Sequence, residues 1–166
     1  MDQKAAKQSF MDAYDQYADE IYRFCFFKVS DSSRAEDFTQ DVFTRFWQTL
    51  RNGKPVTHPR ALLYTIARNR ITDWYRKKKE DSLDALSEEG FEVAGDTALD
   101  VERAASFAEV LSVIEDLDEP SKEVLMLRYT EGWTPQEIAD LHGESANAVS
   151  VRLNRAIKKV QNRLHL

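Results

Sequence analysis

The stretch TPQEIADLHGESANAVSVRLNRAIK, residues 134–158, reads as two short helices joined by a tight turn. Thr134 suits an N-cap, Pro135 the first helical position, and Glu137 completes a T-x-x-E capping box. Ile138, Ala139 and Leu141 supply a short apolar stripe. Gly143 permits the left-handed backbone on which helices commonly end, and Ser145 caps the next helix. In that helix Val149, Leu153, Ala156, Val160 and Leu164 recur at spacings of 4, 3, 4 and 4, which is one helical face. The other face carries Asn147, Ser150, Val151, Asn154, Arg155 and Lys158. Small and amide side chains come first and cationic ones after. That order suits a helix whose start meets base edges and whose later turn meets phosphate. Small Ala139 and Gly143 let the two helices cross closely, as in a helix-turn-helix. The alternative is a helical hairpin with a solvated polar face, and the rest of the chain decides between them.

A chain of 166 residues makes one medium domain or two small ones. With only 5 Gly and 4 Pro and with helical spacing throughout, an all-α protein is expected. The single cysteine, Cys25, excludes an internal disulfide, and its aromatic neighbours point to a buried, inert thiol. His58, His142 and His165 are scattered, so no metal site is expected. There is no phosphate-binding glycine loop, no G-x-S-x-G and no H-E-x-x-H, and hence no expected catalytic residue or cofactor. No apolar run reaches the roughly 20 residues that span a bilayer. The N-terminal MDQKAAKQSFMDAYDQY lacks the apolar core of a signal peptide. A cytoplasmic protein without membrane insertion is expected.

The net charge of −6 looks wrong for a DNA-binding protein, but it is segregated. Residues 1–79 hold 15 basic and 10 acidic side chains, residues 80–119 hold 1 and 14, and residues 120–166 hold 7 and 5. Two mildly basic blocks therefore flank an acidic connector.

In chain order, a first helix is expected from about Lys7 to Val29, with Phe10, Tyr14, Tyr17, Ile21, Phe24 and Val29 on one side. Asp31, Ser32 and Ser33 interrupt it, and Ser33 is the expected cap of a second helix, Arg34 to Leu50. There Ala35, Phe38, Val42 and Phe46 form a core stripe, and Phe43, Trp47 and Leu50 widen it. That arc is wider than a surface helix needs. Either the helix is buried between two neighbours, or Phe43 and Trp47, bordered by Asp37, Gln40, Thr44 and Gln48, dock a partner protein. After a loop from Arg51 to His58, Pro59 opens a third helix to about Lys79. Its inner face is Leu63, Ala67, Ile71 and Trp74, and Arg70 within that arc must pair or snorkel. Thr65, Asn69, Thr72, Arg76 and Lys79 share the outer face. Such donors and cations beside Tyr64, Trp74 and Tyr75 suit an unstacked nucleic-acid strand. The run Arg76–Lys79 is by itself equally a solvated helix end. Glu80 to Asp100 is aperiodic and acidic and reads as a flexible linker. Helical spacing returns at Phe107, Val110, Leu111 and Ile114. A helix after Pro120 follows, with Val124, Leu125, Leu127 and Tyr129 as its apolar residues, and Trp133 is read as core.

Three of these blocks resemble one family. RAEDFTQDVFTRFW resembles the core-binding helix of bacterial RNA polymerase sigma factors, and PRALLYTIARNRITDWYRKKK their next helix, which binds the −10 promoter element. EPSKEVLMLRYTEGWTPQEIADLHGESANAVSVRLNRA resembles their C-terminal domain, which binds the −35 element. The order and brevity resemble the extracytoplasmic-function group. The resemblance implies a region 2-like domain at 7–80, an acidic linker at 81–104 and a region 4-like helix-turn-helix domain at 105–166. It implies polymerase core, promoter DNA and an anti-sigma factor as partners. Asp37, Gln40, Phe43, Thr44 and Trp47 would meet the polymerase. Thr65, Asn69, Thr72, Arg76 and Lys79, with the Arg51–His58 loop, would hold the −10 element. Asn147, Ala148, Ser150, Val151, Asn154, Arg155 and Lys158 would lie in the −35 major groove. His142 stands where the family commonly has Leu, and Glu144 replaces a common apolar turn residue. Ala148, Ser150 and Val151 replace frequent Thr, basic and Ser residues, so the resemblance implies the fold of this domain but not which −35 sequence it reads. A simple repressor would explain the helix-turn-helix but not the aromatic second helix. A decoy that only sequesters an anti-sigma factor would carry an added receiver domain.

Overall fold

The computed structural model describes residues 2–81 and 101–166, and every element among them is a helix. The elements are α1 (Gln3–Val29), α2 (Ser32–Arg51), α3 (Pro59–Asp81), α4 (Val101–Glu115), α5 (Glu119–Leu125), a π-helical turn (Met126–Thr130), α6 (Pro135–His142) and α7 (Ala146–Arg163). They form two compact units, α1–α3 and α4–α7. Most of the linker expected at 81–104 lies outside the described residues. Its two ends differ from expectation: Asp81 closes α3, and α4 already begins at Val101.

In the N-terminal unit α1 packs on both α2 and α3. It begins at Gln3 rather than near Lys7, and Ala6 is already buried. It ends where Ser30 enters the left-handed region at φ 53 and its N–H donates to the Phe26 carbonyl. The cap of α2 is Asp31, not Ser33: its carboxylate accepts from the Arg34 N–H at 3.0 Å. An Asp two residues earlier satisfies the free amides as well and adds a charge favourable at a helix start. Ile21, Phe24, Val42, Phe46, Leu50 and Leu63 fill the core. Tyr64 joins them at 0% exposure, its hydroxyl donating to Glu20 Oε1 at 2.7 Å. Arg60 pairs with the same carboxylate at 2.5 Å. This buried junction ties α3 to α1 and takes Tyr64 away from the nucleic-acid face suggested for it. Arg70 does pair, with Asp41 at 2.5 Å. Cys25 is fully buried, and burial pushes its thiol up to about 12.

In the C-terminal unit α7 is the central element, packed by α4, α5 and α6. Val124, Met126, Leu127, Trp133, Ile138, Ala139, Val149, Leu153 and Ala156 are buried. Tyr129, expected inside, is 65% exposed. The cause is the π-helical turn: Glu131 N–H donates to the Met126 carbonyl, five residues back. The wider turn breaks the phase of the apolar stripe.

Candidate functional site

On α6 and α7 the local chemistry is as the capping residues require. Thr134 Oγ1 accepts from the Glu137 N–H at 3.2 Å, and Glu137 Oε2 accepts from the Thr134 N–H at 2.8 Å. Gly143 ends α6 at φ 68 with open space around it, so the backbone angle, not crowding, favours glycine there. Ser145 Oγ accepts from the Ala148 N–H at 3.1 Å. Val149, Leu153 and Ala156 face inward. Asn147, Val151, Asn154, Arg155 and Lys158 are exposed, whereas Ala148 and Ser150 are half-buried. The structure thus brings the seven candidates onto one side of a helix, five of them fully presented.

Behind that face lies a polar cluster that the sequence did not announce. His142 Nε2 lies 2.8 Å from Glu123 Oε1, and His142 Nδ1 lies 3.2 Å from Glu144 Oε1. Arg152 donates from both terminal nitrogens to Glu144, at 2.5 and 3.0 Å. These hydrogen bonds hold the Glu144 carboxyl below its usual range against burial, and His142 adds to the effect. The same hydrogen bonds raise Arg152.

Thr65, Asn69, Thr72, Arg76 and Lys79 are all exposed on α3. Thr65 spends its hydroxyl on the Ala61 carbonyl at 2.8 Å, and Arg76 lies 3.7 Å from Asp73. Asn69 alone of the five lines a cavity of about 360 Å³ between α2, the following loop and α3. Its other walls include Arg45, Gln48, Thr49, Asn52 and Lys54. The α2 share of that wall was missed, because in sequence those residues read only as the polar side of an amphipathic helix. Trp74 stacks edge-on against Phe38 and Tyr75 and is covered by Arg34 and Lys78 at 4.7 and 5.0 Å. The Tyr75 hydroxyl donates to the Lys28 carbonyl.

On α2, Asp37, Gln40 and Thr44 are exposed, and Trp47 is half-buried. Phe43 is 3% exposed, its ring 4.9 Å from Tyr14 and 6.1 Å from Phe10. Phe43 is therefore core, and Trp47, 5.5 Å from Phe10, stands at the edge. A shallow apolar groove of about 440 Å³ runs over them, walled by Lys7, Phe10, Met11 and Thr44. Its α1 wall lies more than thirty positions away in sequence and left no signal next to the α2 pattern.

A helix-turn-helix unit with a cation-bearing face is the architecture of a nucleic-acid-binding protein, and here it accompanies a three-helix unit with a polar pocket and an apolar groove. Residues 13–80 match Sigma-70 region 2, and residues 107–160 match Sigma-70, region 4. The chain is 31% identical over 134 residues to the RNA polymerase sigma factor CnrH of Cupriavidus metallidurans, covering 75% of this chain and 70% of that one. It is 25% identical over 166 residues to the ECF RNA polymerase sigma factor SigX of Bacillus subtilis, covering 96% and 86%. It spans 35% and 56% of the length of two further, longer relatives. A structure of the sigma factor RpoE with the anti-sigma factor NepR from Bartonella quintana shares the fold, with a TM-score of 0.74 at 20% identity over 96% of this chain and 98% of that one. The chain belongs to the sigma-70 family of RNA polymerase sigma factors, in the extracytoplasmic-function group. It is an alternative sigma factor, a transcription initiation factor and not an enzyme, and it directs polymerase to −35/−10 promoters.

Proposed function

We propose that residues 7–80 dock the polymerase core and capture the opened −10 element, that residues 105–166 read the −35 element, and that residues 81–104 connect them. The observation that carries strand capture is the pocket beside Asn69. It offers amides from Gln48, Asn52 and Asn69 and cations from Arg45 and Lys54. An unstacked base is recognised through its hydrogen-bonding edge while cations follow the backbone. Thr65, Thr72, Arg76 and Lys79 extend the same face for the flanking phosphates. Asp37, Gln40 and Thr44 form the polar rim of the polymerase contact, with Trp47 and the Phe43-floored groove as its apolar part. Asn147, Ala148, Ser150, Val151, Asn154, Arg155 and Lys158 meet the −35 element.

Two similar structures hold a sigma factor with a partner protein, NepR in one and CnrY in the other. A protein of the anti-sigma class is accordingly the regulator proposed here. The cytoplasm, where polymerase acts, is the proposed location. No described helix is long and apolar enough to cross a membrane.

The test is transcription from a cognate promoter by purified core polymerase with and without this chain. For strand capture, Asn69→Ala is expected to slow open-complex formation by about fivefold, the equivalent of one hydrogen bond, with core affinity unchanged. A permanganate footprint that matches wild type in extent and rate would remove Asn69 from that role.

A further inference from the structure

We infer that His142, Glu144 and Arg152 are positioning residues that set the rotation of α7, and through it which −35 base pairs the helix prefers. This rests on the reading of α7 as the −35 helix.

His142 ends α6, and Glu144 sits in the turn that follows it. The two side chains belong to one polar cluster. Glu144 Oε1 is shared by His142 and Arg152, and the other side of the His142 ring reaches Glu123 on α5. Four side chains from α5, α6, the turn and α7 therefore form one chain of contacts. His142 and Glu123 are almost wholly enclosed, with side chains 8% and 7% exposed.

Arg152 is the only one of the four on α7. Its two nitrogens meet the two oxygens of Glu144, a planar two-pronged contact that fixes direction as well as distance. A point contact would leave α7 free to roll about its axis, but a two-pronged one does not. Arg155 lies three residues on, and Asn154 two. A bidentate side-chain contact to a base edge depends on where the side chain leaves the helix. A small roll of α7 thus moves Asn154 and Arg155 across the base-pair edges without disturbing Val149, Leu153 or Ala156 enough to unfold the unit.

This separates positioning from stability. Replacing buried charged groups by well-packed apolar ones is often neutral or stabilising. The paired substitution His142→Leu with Glu144→Ile should therefore keep the fold while removing the clasp, with Asp118 and Glu123 still acting on Arg152. Arg152→Lys keeps the charge but cannot make the two-pronged contact.

The experiment reconstitutes holoenzyme with the full chain and measures binding to promoters randomised in the −35 region, with thermal unfolding of each variant alongside. Both the paired substitution and Arg152→Lys are expected to unfold close to wild type. Both should shift or flatten the preference at one −35 base pair by about tenfold, the size of one coupled contact. A wild-type preference in the Arg152→Lys variant would show that charge alone suffices and would overturn the proposal. So would a wild-type profile for the folded apolar pair. If Arg152→Lys does not fold, the apolar pair decides. Arg155→Ala serves as the control for the underlying reading. If it leaves the profile unchanged, α7 is not the −35 reader and the positioning role falls with it. If Arg155→Ala changes the profile and the clasp variants do not, only the positioning role falls.

Discussion

The N-terminal unit has helices of 27, 20 and 23 residues, and its largest fully buried side chains include Tyr64, Phe24 and Phe46. The helix-turn-helix of the C-terminal unit has helices of 8 and 18 residues, held by a capping box, a left-handed glycine and a four-residue polar clasp. Eight residues are too few for a helix to persist on its own. Where helices are long and aromatics plentiful, apolar burial holds the structure. The polar outer residues of α3 then face solvent and not the core. Where helices are short, polar groups become part of the scaffold. A substitution on the outer side of α3 is therefore a functional experiment, whereas one near the turn of the helix-turn-helix is structural as well wherever it leaves a clasp member unpaired.

The largest expected effect tests the first half of that contrast. Phe46 is fully buried, and its ring sits 6.4 Å from that of Phe10. Phe46→Ala should destabilise the N-terminal unit by about 3–5 kcal/mol, as deletion of a buried ring usually does. Urea unfolding measures this. A loss smaller than that caused by Glu144→Gln in the C-terminal unit would reverse the comparison.

Trp47 lies one residue further along α2 but at the edge of the same aromatic group, half-buried beside Phe10. Its truncation should leave the unit folded and weaken binding to polymerase core by about 2 kcal/mol, the usual scale for an aromatic anchor. Equal core affinity in a folded Trp47→Ala variant would assign Trp47 to the core together with Phe43. That outcome would leave the exposed Asp37, Gln40 and Thr44 without an apolar anchor on α2.

The same contrast explains what could be read from sequence. The capping box of Thr134 and Glu137, the Gly143 stop and the outward face of α7 all follow from relations within one or two turns. They were legible because local spacing determines them. Asp31 was passed over because Asp31, Ser32 and Ser33 are three acceptable caps in a row and local chemistry does not rank them. Tyr129 counts among the apolar residues of a regular helix, and nothing in MLRYT signals a π-helical turn. Tyr64 was drawn outward by its neighbours Thr65 and Asn69, although its partner, Glu20, lies 44 positions away. The clasp was invisible for the same reason. His142 and Glu123 are 19 positions apart, and Arg152 and Glu144 are 8 apart. Long-range polar pairing leaves no period in a sequence, whereas caps and amphipathic faces do.

The smallest expected effect sharpens the second half of the comparison, and it is read through pH. The Glu144 carboxyl is held below its ordinary value of 4.5, first by its hydrogen bonds to Arg152, then with help from His142, while burial opposes. A carboxyl whose folded pKa lies below its unfolded one contributes stability that is fully present above the unfolded value. That contribution is lost as pH falls through the folded value. Wild type should therefore hold α6 and α7 closed near neutral pH and lose part of that protection as acid is added below about pH 4. Glu144→Gln has no carboxyl to protonate and has already lost the charged contact with Arg152. It should be the less protected chain near neutrality and should change less on acidification, so the gap between the two narrows as pH falls. Amide exchange in peptides from α6 and α7 measures this, with both chains compared at the same pH so that intrinsic exchange rates cancel. Peptides from α1 and α2 should show no such gap at any pH, because the four residues of the clasp all belong to the C-terminal unit. A gap of constant size from neutral to acid would mean that Glu144 acts by shape alone, and the C-terminal unit would then be held together in the same apolar way as its partner.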